Sequence, residues 1–592
     1  MVSVNHQIRF RAEDLIILDF VQNHPASSHT YVTNVTTKGI QEFVVLTHHR
    51  PTLFHKQVNP LPSGVLSRIN LKTFQTLLQS HPNKYLVKYV TNGLQYGFDI
   101  GFKGVSTSTR PKNLQSAIRN KNIINKAICQ ELDRGHTSGP FKNPPFPVVH
   151  CSPIGVVIKK DNSGRLVMDL SQPAGLSIND NISKEDFTVH YTPFDAATDL
   201  VRQAGQSCFL SKLDIKHAFR LIPVHPSQWH LLCYGWEGNY FVDTVLPFGL
   251  RSSPAIFNQF ADLVGWVIKT KYGIVTIIHY ADDFFLVSGQ NQNIAQQQLH
   301  TVCQAFQEMD IPLATEKIIG PVKKITYLGI EINSEDFTIE ITEERYKEIM
   351  ATLPQWLHKK SCTKQELLSL IGKLSFVCKV VRPGRIFLRR LITLSTTVHK
   401  LHHHINLNKA ALADIEWWFS FLPSWNKKSI IPETLRILSS DIKLFTDASD
   451  LGFGAILGKE WIQAPWDRKT KTYSIDYREL FAIVAAAVTW GYRWGGKRIV
   501  FITDNLPITQ IWVTGSSPAP DVMSLIRYLF LIAANKGFSV SLKHILGVHN
   551  PIADAISRFQ EQRFRQLMPT AEVQPTKIPA ELWSILTATY QL

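Results

Sequence analysis

Cysteine is scarce. The 592 residues hold seven, at positions 129, 151, 208, 233, 303, 362 and 378, an odd number at irregular spacing. Such a set offers neither a disulfide framework nor a zinc site and fits a reducing compartment. His402, His403 and His404 stand in a row without the partner spacing that zinc needs. Acidic charge is also short, with 47 Asp and Glu against 63 Lys and Arg, a formal net charge of +16. That excess suits a polyanionic partner. No uninterrupted apolar stretch is long enough to span a bilayer, and MVSVNHQIRFRAEDLIILDF lacks the basic-then-apolar order of a secretory signal. The expectation is an intracellular protein of cytoplasm or nucleus, neither secreted nor attached to a membrane. Internal repeats, long low-complexity tracts, Asp-Thr/Ser-Gly triplets and Cys/His knuckles are absent from the sequence. What remains is a folding chain, 44% hydrophobic and 19% charged. Its length suggests roughly three to five packing units.

Residues 71–94 read as two short helices broken at His81-Pro82 and ending near Gly93, and a further helix is expected over 113–133. SGPFKNPPFPVVHCSP is Pro-rich and extended. PIGVVIKKDNSGRLVMDL reads as two strands around an Asn-Ser-Gly turn. Strand-like runs follow in CFLSKLDI, YFVDTVLPF, TIIHYADDFFLV and KKITYLGIEI, with helices through PAIFNQFADLVGWVI and 293–309. Residues 341–420 are mostly helical, with Leu367, Leu368, Ile371 and Leu374 predicted as one apolar face. Beyond Pro432, DIKLFTDAS, GFGAILG and KRIVFITDN surround a helix from about Ser474 to Trp490, for which Ser474 is a natural N-cap. The chain is expected to leave the fold near Phe559 and end in a short tail. Mixed elements with antiparallel strands predict an α+β multidomain protein.

Two sets of carboxylates stand out. Asp214 closes the apolar-flanked run FLSKLDI, and Asp282 and Asp283 are adjacent in IIHYADDFFLV. Neighbouring strand residues face opposite ways, so a hairpin turn that lifts both toward Asp214 is the better reading. Aspartates amid β-branched and aromatic residues are costly without compensating charge, which a divalent metal supplies. Two metals held there could activate a primer 3′-hydroxyl and stabilise leaving pyrophosphate. Asp214 and Asp282 are expected as ligands, with Asp283 supporting. Lys159, Lys160 and Arg165 could grip a triphosphate. Gly249 allows close backbone approach, and the Phe219 ring could exclude a ribose 2′-hydroxyl.

LDIKHAFRLIPV, LPFGLRSSPAIF, HYADDFFLV and ITYLGI, in this order, resemble four successive motifs of reverse transcriptases. The resemblance implies a right-hand fold with fingers, a ferredoxin-like palm over 135–335 and a helical thumb or connection over 336–435. Residues 1–69 would be a region of unknown role and 70–134 a helical extension. It further implies that Asp214, Asp282 and Asp283 bind metal, that Phe219 selects deoxynucleotides, and that Arg165 with Lys159 or Lys160 holds the triphosphate. Phe248 stands where retroviral enzymes have glutamine. Lys317 matches a lysine that protonates pyrophosphate, and Arg382, Arg385, Arg389 and Arg390 are candidate backbone contacts.

The second set is Asp447 in LFTDAS, Glu479 in DYRELFAI, Asp504 in FITDN and Asp554 in HNPIADAISR. Four acids on different elements, three with apolar neighbours, are expected to converge on a two-metal hydrolytic site. This region resembles the ribonuclease H domain of retroelements, placed at 436–560 with a tail over 561–592. The resemblance adds His544 as an assisting histidine. It implies cleavage of RNA in an RNA–DNA hybrid, with Mg2+ expected, two per site, and Mn2+ possible. Expected partners are RNA template, DNA primer, the hybrid and deoxynucleoside triphosphates.

A finer resemblance, carried by GPFKNPPFPVVHCSPIGVV, FTVHYTPFDAA, VRPGRIFLRRLI and ELFAIVAAAVTWGYRWGGKRI, is to DIRS-like and Ngaro-like retrotransposons. It implies a separate tyrosine recombinase and a nucleocapsid-like protein as further partners. The alternative is a catalytically inactive or domesticated nucleic-acid-binding remnant. Binding alone, however, needs positive charge and stacking rather than seven clustered acids.

Overall fold

A computed structural model describes residues 59–583, apart from 66, 159–163, 426, 432–441, 496, 516 and 537, and apart from the side chains of 382, 383, 424 and 430. Lys159, Lys160, the Arg382 side chain and most of the 1–69 region therefore lie outside the described residues. The chain forms two compact units. One holds the described residues up to Tyr327 together with Asn333–Asp336; the other holds Leu328–Ile332 and the described residues from Phe337 onward.

The first unit opens with helices α1 (Leu71–Leu77) and α2 (Lys84–Tyr96). Asn70 and Asn83 cap them, each side chain accepting a backbone N–H of the first turn. The break at His81-Pro82 is as expected, but α2 runs past Gly93 to a cap at Gly97. Gly93 lies inside the helix, and glycine is needed there because the Phe98 ring occupies the space a Cβ would take. The helix expected over 113–133 is two, Gln115–Arg119 and Lys121–Asp133, broken at Asn120. Strands β1 (Ile154–Ile158) and β2 (Gly164–Met168) pair antiparallel.

The centre of this unit is a four-stranded antiparallel sheet. Its members are β3 (Phe209–Asp214), β4 (Ile277–Tyr280), β5 (Asp283–Ser288) and β6 (Ile319–Val322), in the order β4-β5-β3-β6. Helices α3 (Ser253–Lys271) and α4 (Gln292–Glu308) pack against it. Phe284, Phe285, Leu286 and Val287 are all fully buried, which is why β5 reads as a continuous apolar run. Each such side chain contributes about 1.5–3 kcal/mol by leaving water. That burial fixes the register that sets Asp214 directly opposite Asp283.

The second unit begins with α5 (Glu343–Leu357), α6 (Lys364–Val377) and α7 (Lys409–Ser424). Thr363 and Glu366 form a reciprocal capping box at the start of α6. The buried face of α6 uses Leu367, Leu370, Ile371 and Leu374; Leu368 is only half-buried, one position off the expected stripe. From α7, Trp417 stacks on Phe387 at 3.6 Å and on Phe421 at 4.6 Å, and meets Phe530 at 5.7 Å.

A five-stranded mixed sheet follows, built from β7 (Ile442–Ala448), β8 (Gly452–Leu457), β9 (Glu460–Pro465), β10 (Arg498–Thr503) and β11 (Ser539–His544) in the order β9-β8-β7-β10-β11. β9, β8 and β7 are antiparallel neighbours, while β10 and β11 add in parallel. Helix α8 (Ile475–Trp490) is capped by Ser474 and packs on β7 and β8. It is buried on every side from Leu480 to Trp490 because α9 (Pro520–Lys536) covers it as well. α10 (Pro551–Ser557) lies across β7 and β8, where Gly454 leaves room for the Ile556 side chain.

The expected loose tail is a correction. α11 (Glu561–Leu567) docks through Phe564, which is buried 4.9 Å from the Trp461 ring, and Leu582 is fully buried. An apolar residue every few positions is enough to tie such a segment down. Each unit mixes helices with antiparallel strands, an α+β architecture, and the second ends in the α/β arrangement built on the five-stranded sheet. Among the described residues, no helix is long and apolar enough to cross a membrane.

Candidate active sites

In the first unit β4 and β5 form a hairpin whose two-residue turn is Ala281-Asp282, with Tyr280 paired to Asp283. Ala281 takes a left-handed φ of +50°, which the tight turn requires. Asp282 thus sits in the turn, while Asp283 opens β5. The Ile215 N–H donates to the Asp282 carbonyl at 3.1 Å, tying the turn to the end of β3. Burial, then the Asp214 charge, raises the pKa of Asp282 above the usual carboxylate range. Burial, then Asp282 and Asp214, pushes Asp283 up to about 6. Three acids whose charges oppose one another call for a cation. Lys317 supplies one, its Nζ lying 2.9 Å from both Asp214 oxygens. Burial acts to lower the lysine's pKa, but the Asp214 hydrogen bond and charge outweigh it and raise it.

Beside these strands Arg165 of β2 lies over the Phe248 ring at 4.5 Å, and Phe248 packs on Phe219 at 5.4 Å. Phe257 of α3 closes the group edge-on to Phe219 at 5.5 Å. Phenylalanine in place of glutamine therefore gives the guanidinium a stacking platform. Gly249 has φ +96°, and a Cβ there would meet the Met168 carbonyl at 2.5 Å. Its need for glycine is thus met by a contact within the protein. Sequence reading missed Asn179, which donates to Ser171 Oγ and the Gly249 carbonyl and accepts from the Arg251 N–H. This single side chain fixes the Phe248–Arg251 loop, and nothing in NDN distinguishes it from an ordinary turn.

In the second unit, ligand oxygens of Asp447, Glu479 and Asp504 all lie within 4.8 Å of one another. Asp447 comes from β7, Glu479 from α8 and Asp504 from the end of β10. Glu479 is only 4% exposed and accepts from the Ala448 N–H at 3.2 Å and the Thr503 hydroxyl at 3.3 Å. Burial, then Asp447 and Asp504, drives its pKa well up. Burial also lifts Asp447 to about 6, against a 2.5 Å hydrogen bond from Ser557. Three converging carboxylates, two of them buried and, among the described residues, without a basic partner at hydrogen-bonding distance, fit a hard divalent cation. Gly547 was also missed: a Cβ there would stand 2.9 Å from Asp504 Oδ2.

The fourth acid is held apart. Asp554 Oδ1 accepts from Arg558 Nε at 2.5 Å and Oδ2 from Arg563 Nη1 at 2.7 Å. Burial would raise its pKa, but these hydrogen bonds prevail and lower it. His544 is the last residue of β11, paired with Thr503 next to Asp504. Of the candidate backbone-contact arginines, Arg385 and Arg389 are exposed. Arg390 turns inward, donating to the buried Asp414 at 3.2 Å. Asp414 is pushed up to about 7 by burial, against Arg527 and Arg390.

Residues 159–332 match the family model described as reverse transcriptase (RNA-dependent DNA polymerase). The Transposon Tf2-3 and Tf2-4 polyproteins of Schizosaccharomyces pombe are each 23% identical over 457 residues, covering 74% of this chain and 31% of theirs. The chain thus spans about a third of the length of the curated relatives it matches. A solved foamy viral protease-reverse transcriptase in complex with double-stranded DNA is similar at TM-score 0.47 and 17% identity, covering 82% of this chain and 84% of that one. These relatives correct the finer resemblance. The curated ones are Transposon Tf2 polyproteins, so the DIRS-like and Ngaro-like subgroup is not supported, and neither is the tyrosine recombinase it implied. VRPGRIFLRRLI, one of the segments that suggested it, is largely core, with Ile386, Phe387, Leu388 and Leu391 buried. A pattern set by burial reports packing rather than subgroup.

Proposed function

We propose that this chain is an RNA- and DNA-directed DNA polymerase with a second, hybrid-cleaving ribonuclease H site, acting in retroelement replication. The observation that carries the reading is the pairing of Asp214 with Asp283 beside the Asp282 turn, inside the segment matched by the reverse transcriptase family. Asp214 and Asp282 would hold Mg2+ ions that activate the primer 3′-hydroxyl and stabilise pyrophosphate, with Asp283 in support. Lys317 is hydrogen-bonded to Asp214, so metal held by Asp214 would displace it and leave its ammonium to donate a proton to the leaving group. Arg165, held on Phe248, would present its fork to the triphosphate, with Lys159 and Lys160 assisting. Phe219 would bar a 2′-hydroxyl.

In the second site Asp447, Glu479 and Asp504 would hold one metal and Asp554 help hold another, with His544 assisting catalysis or product release. Arg385 and Arg389 would contact the nucleic-acid backbone. The domain allocation at 135–335, 336–435 and 436–560 follows from these roles. The test is deoxynucleotide incorporation on a primed RNA template with Mg2+, comparing the intact chain with Asp282→Asn and following hybrid cleavage in the same reaction. Loss of incorporation with cleavage retained supports two sites. No incorporation by folded, hybrid-binding protein, with Mn2+ also tried, favours a non-catalytic binding protein.

A further inference from the structure

The segment after α10 forms a built surface. Arg565 donates to the carbonyls of Ala571, Glu572 and Val573 at 3.3, 2.9 and 2.6 Å, closing residues 565–573 into a loop. The Trp461 indole N–H donates to the Glu572 carbonyl at 2.8 Å, and the Thr576 N–H to the Trp461 carbonyl at 2.7 Å. With Phe564 buried against Trp461, this clamps α11 to the edge strand β9. The clamp leaves Arg563, on the first turn of α11, aimed at Asp554. Its Nη1 reaches both Asp554 Oδ2 and Gln560 Oε1 at 2.7 Å.

Asp554 therefore has both oxygens engaged, one by Arg558 from its own helix and one by Arg563 from the docked segment. Among the described residues, the other three acids have no such cationic partner at hydrogen-bonding distance. A carboxylate with a guanidinium hydrogen bond on each oxygen keeps free lone pairs but offers them as a weaker ligand, and two nearby positive charges oppose an incoming dication.

We infer that Arg563 is a positioning residue that gates the second metal of the ribonuclease H-like site. The segment docked on β9 holds Arg563 on Asp554, so one cation binds at Asp447, Glu479 and Asp504 before a second can enter. This rests on the reading of those acids as metal ligands. It gives the region after the nuclease-like fold a role of its own: withdrawal of α11, for instance by nucleic acid competing for its arginines, would complete the site.

The test is Mn2+ binding followed by electron paramagnetic resonance on the full chain carrying Asp214→Asn and Asp282→Asn, so that the first unit's acids contribute little. One tighter and one weaker ion are expected at the second site. Arg563→Gln should tighten the weaker ion on the order of five- to tenfold, since the pair is half-exposed and its loss is worth a modest factor. Arg563→Lys, which keeps the charge, should move it less. Arg565→Ala, which loosens the clamp without touching Asp554, should shift it in the same direction as Arg563→Gln. Equal weak-site affinity in the parent and Arg563→Gln, with two ions bound, overturns the gate and leaves the metal reading standing. No ion bound in any variant overturns both. Melting temperatures of the variants confirm that each is folded.

Discussion

The two acid sets solve one electrostatic problem in opposite ways. In the first unit the acids stand on a hairpin turn and facing strand ends, and a 57% exposed lysine neutralises one of them. In the second, three carboxylates converge with two of them buried and, among the described residues, no basic side chain at hydrogen-bonding distance. The first arrangement is tolerable without metal, because solvent and Lys317 share the charge. The second stores repulsion and desolvation that only protons or a cation relieve. The first site keeps its acids on a solvent-reaching turn, and the second brings its ligand oxygens together beforehand.

Substitutions at the two sites should therefore diverge. The largest expected effect is on chemistry. Asp282→Asn should reduce incorporation on the order of a thousandfold while sparing hybrid cleavage, measured by single-turnover assays on one preparation. Glu479→Gln should reduce cleavage by roughly a hundredfold or more and leave incorporation intact. If either change lowers both activities alike, the sites are not separate and the comparison fails. Next comes Phe219→Val. Loss of the ring should weaken discrimination against ribonucleotides by roughly ten- to a hundredfold, read as the ratio of kcat/KM values for paired nucleotides.

Stability sharpens the contrast on a smaller scale. Glutamine at 479 can keep both hydrogen bonds and removes a buried charge, so Glu479→Gln should stabilise the metal-free protein by about 1–2 kcal/mol in urea melts. Asp214→Asn loses an ion pair whose lysine is half-exposed but also removes a charge that opposes Asp282 and Asp283, so it should change stability by about 1 kcal/mol or less. A destabilised Glu479→Gln would mean that the charge at that position is compensated after all.

The pH dependence follows the same logic. Asp447 and Asp283 titrate near 6 when folded, above the unfolded carboxylate value of about 4. The folded state thus holds the extra protons, and metal-free stability should fall as pH rises through that window. Added Mg2+ should raise the melting temperature more at pH 7.5 than at pH 5. A flat metal-free profile between pH 4 and 6.5 would argue that neither acid is perturbed.

Much of this organisation was legible because chemistry and periodicity coincide. Buried strands such as β5 write themselves as apolar runs, and carboxylates inside them are conspicuous. The hairpin at Asp282 was anticipated from the impossibility of two adjacent strand residues facing one site. Relations between distant residues were not legible. Asn179 and Gly547 act through loops that only the fold brings together, and Arg390 faces Asp414 rather than solvent for reasons visible only in packing. β9 escaped notice because EWIQAP lacks alternation, and α11 because a docking surface as small as Phe564 on Trp461 leaves little trace in sequence. The subgroup assignment failed for the opposite reason. Its segments are strongly patterned, but the pattern reports burial.

The stacking of Trp417 on Phe387 and its contact with Phe530 bears on how the protein can be cut. A recombinant fragment beginning at residue 442 would carry Phe530 and Arg527 on α9 but lose the Trp417 ring and the Asp414 carboxylate that cover them. The newly bared aromatic and cationic surface would favour self-association, and low soluble yield of such a fragment would say little about its active site. Starting the fragment near residue 337, so that α5 to α7 travel with the sheet, preserves the natural lining and is the boundary to clone.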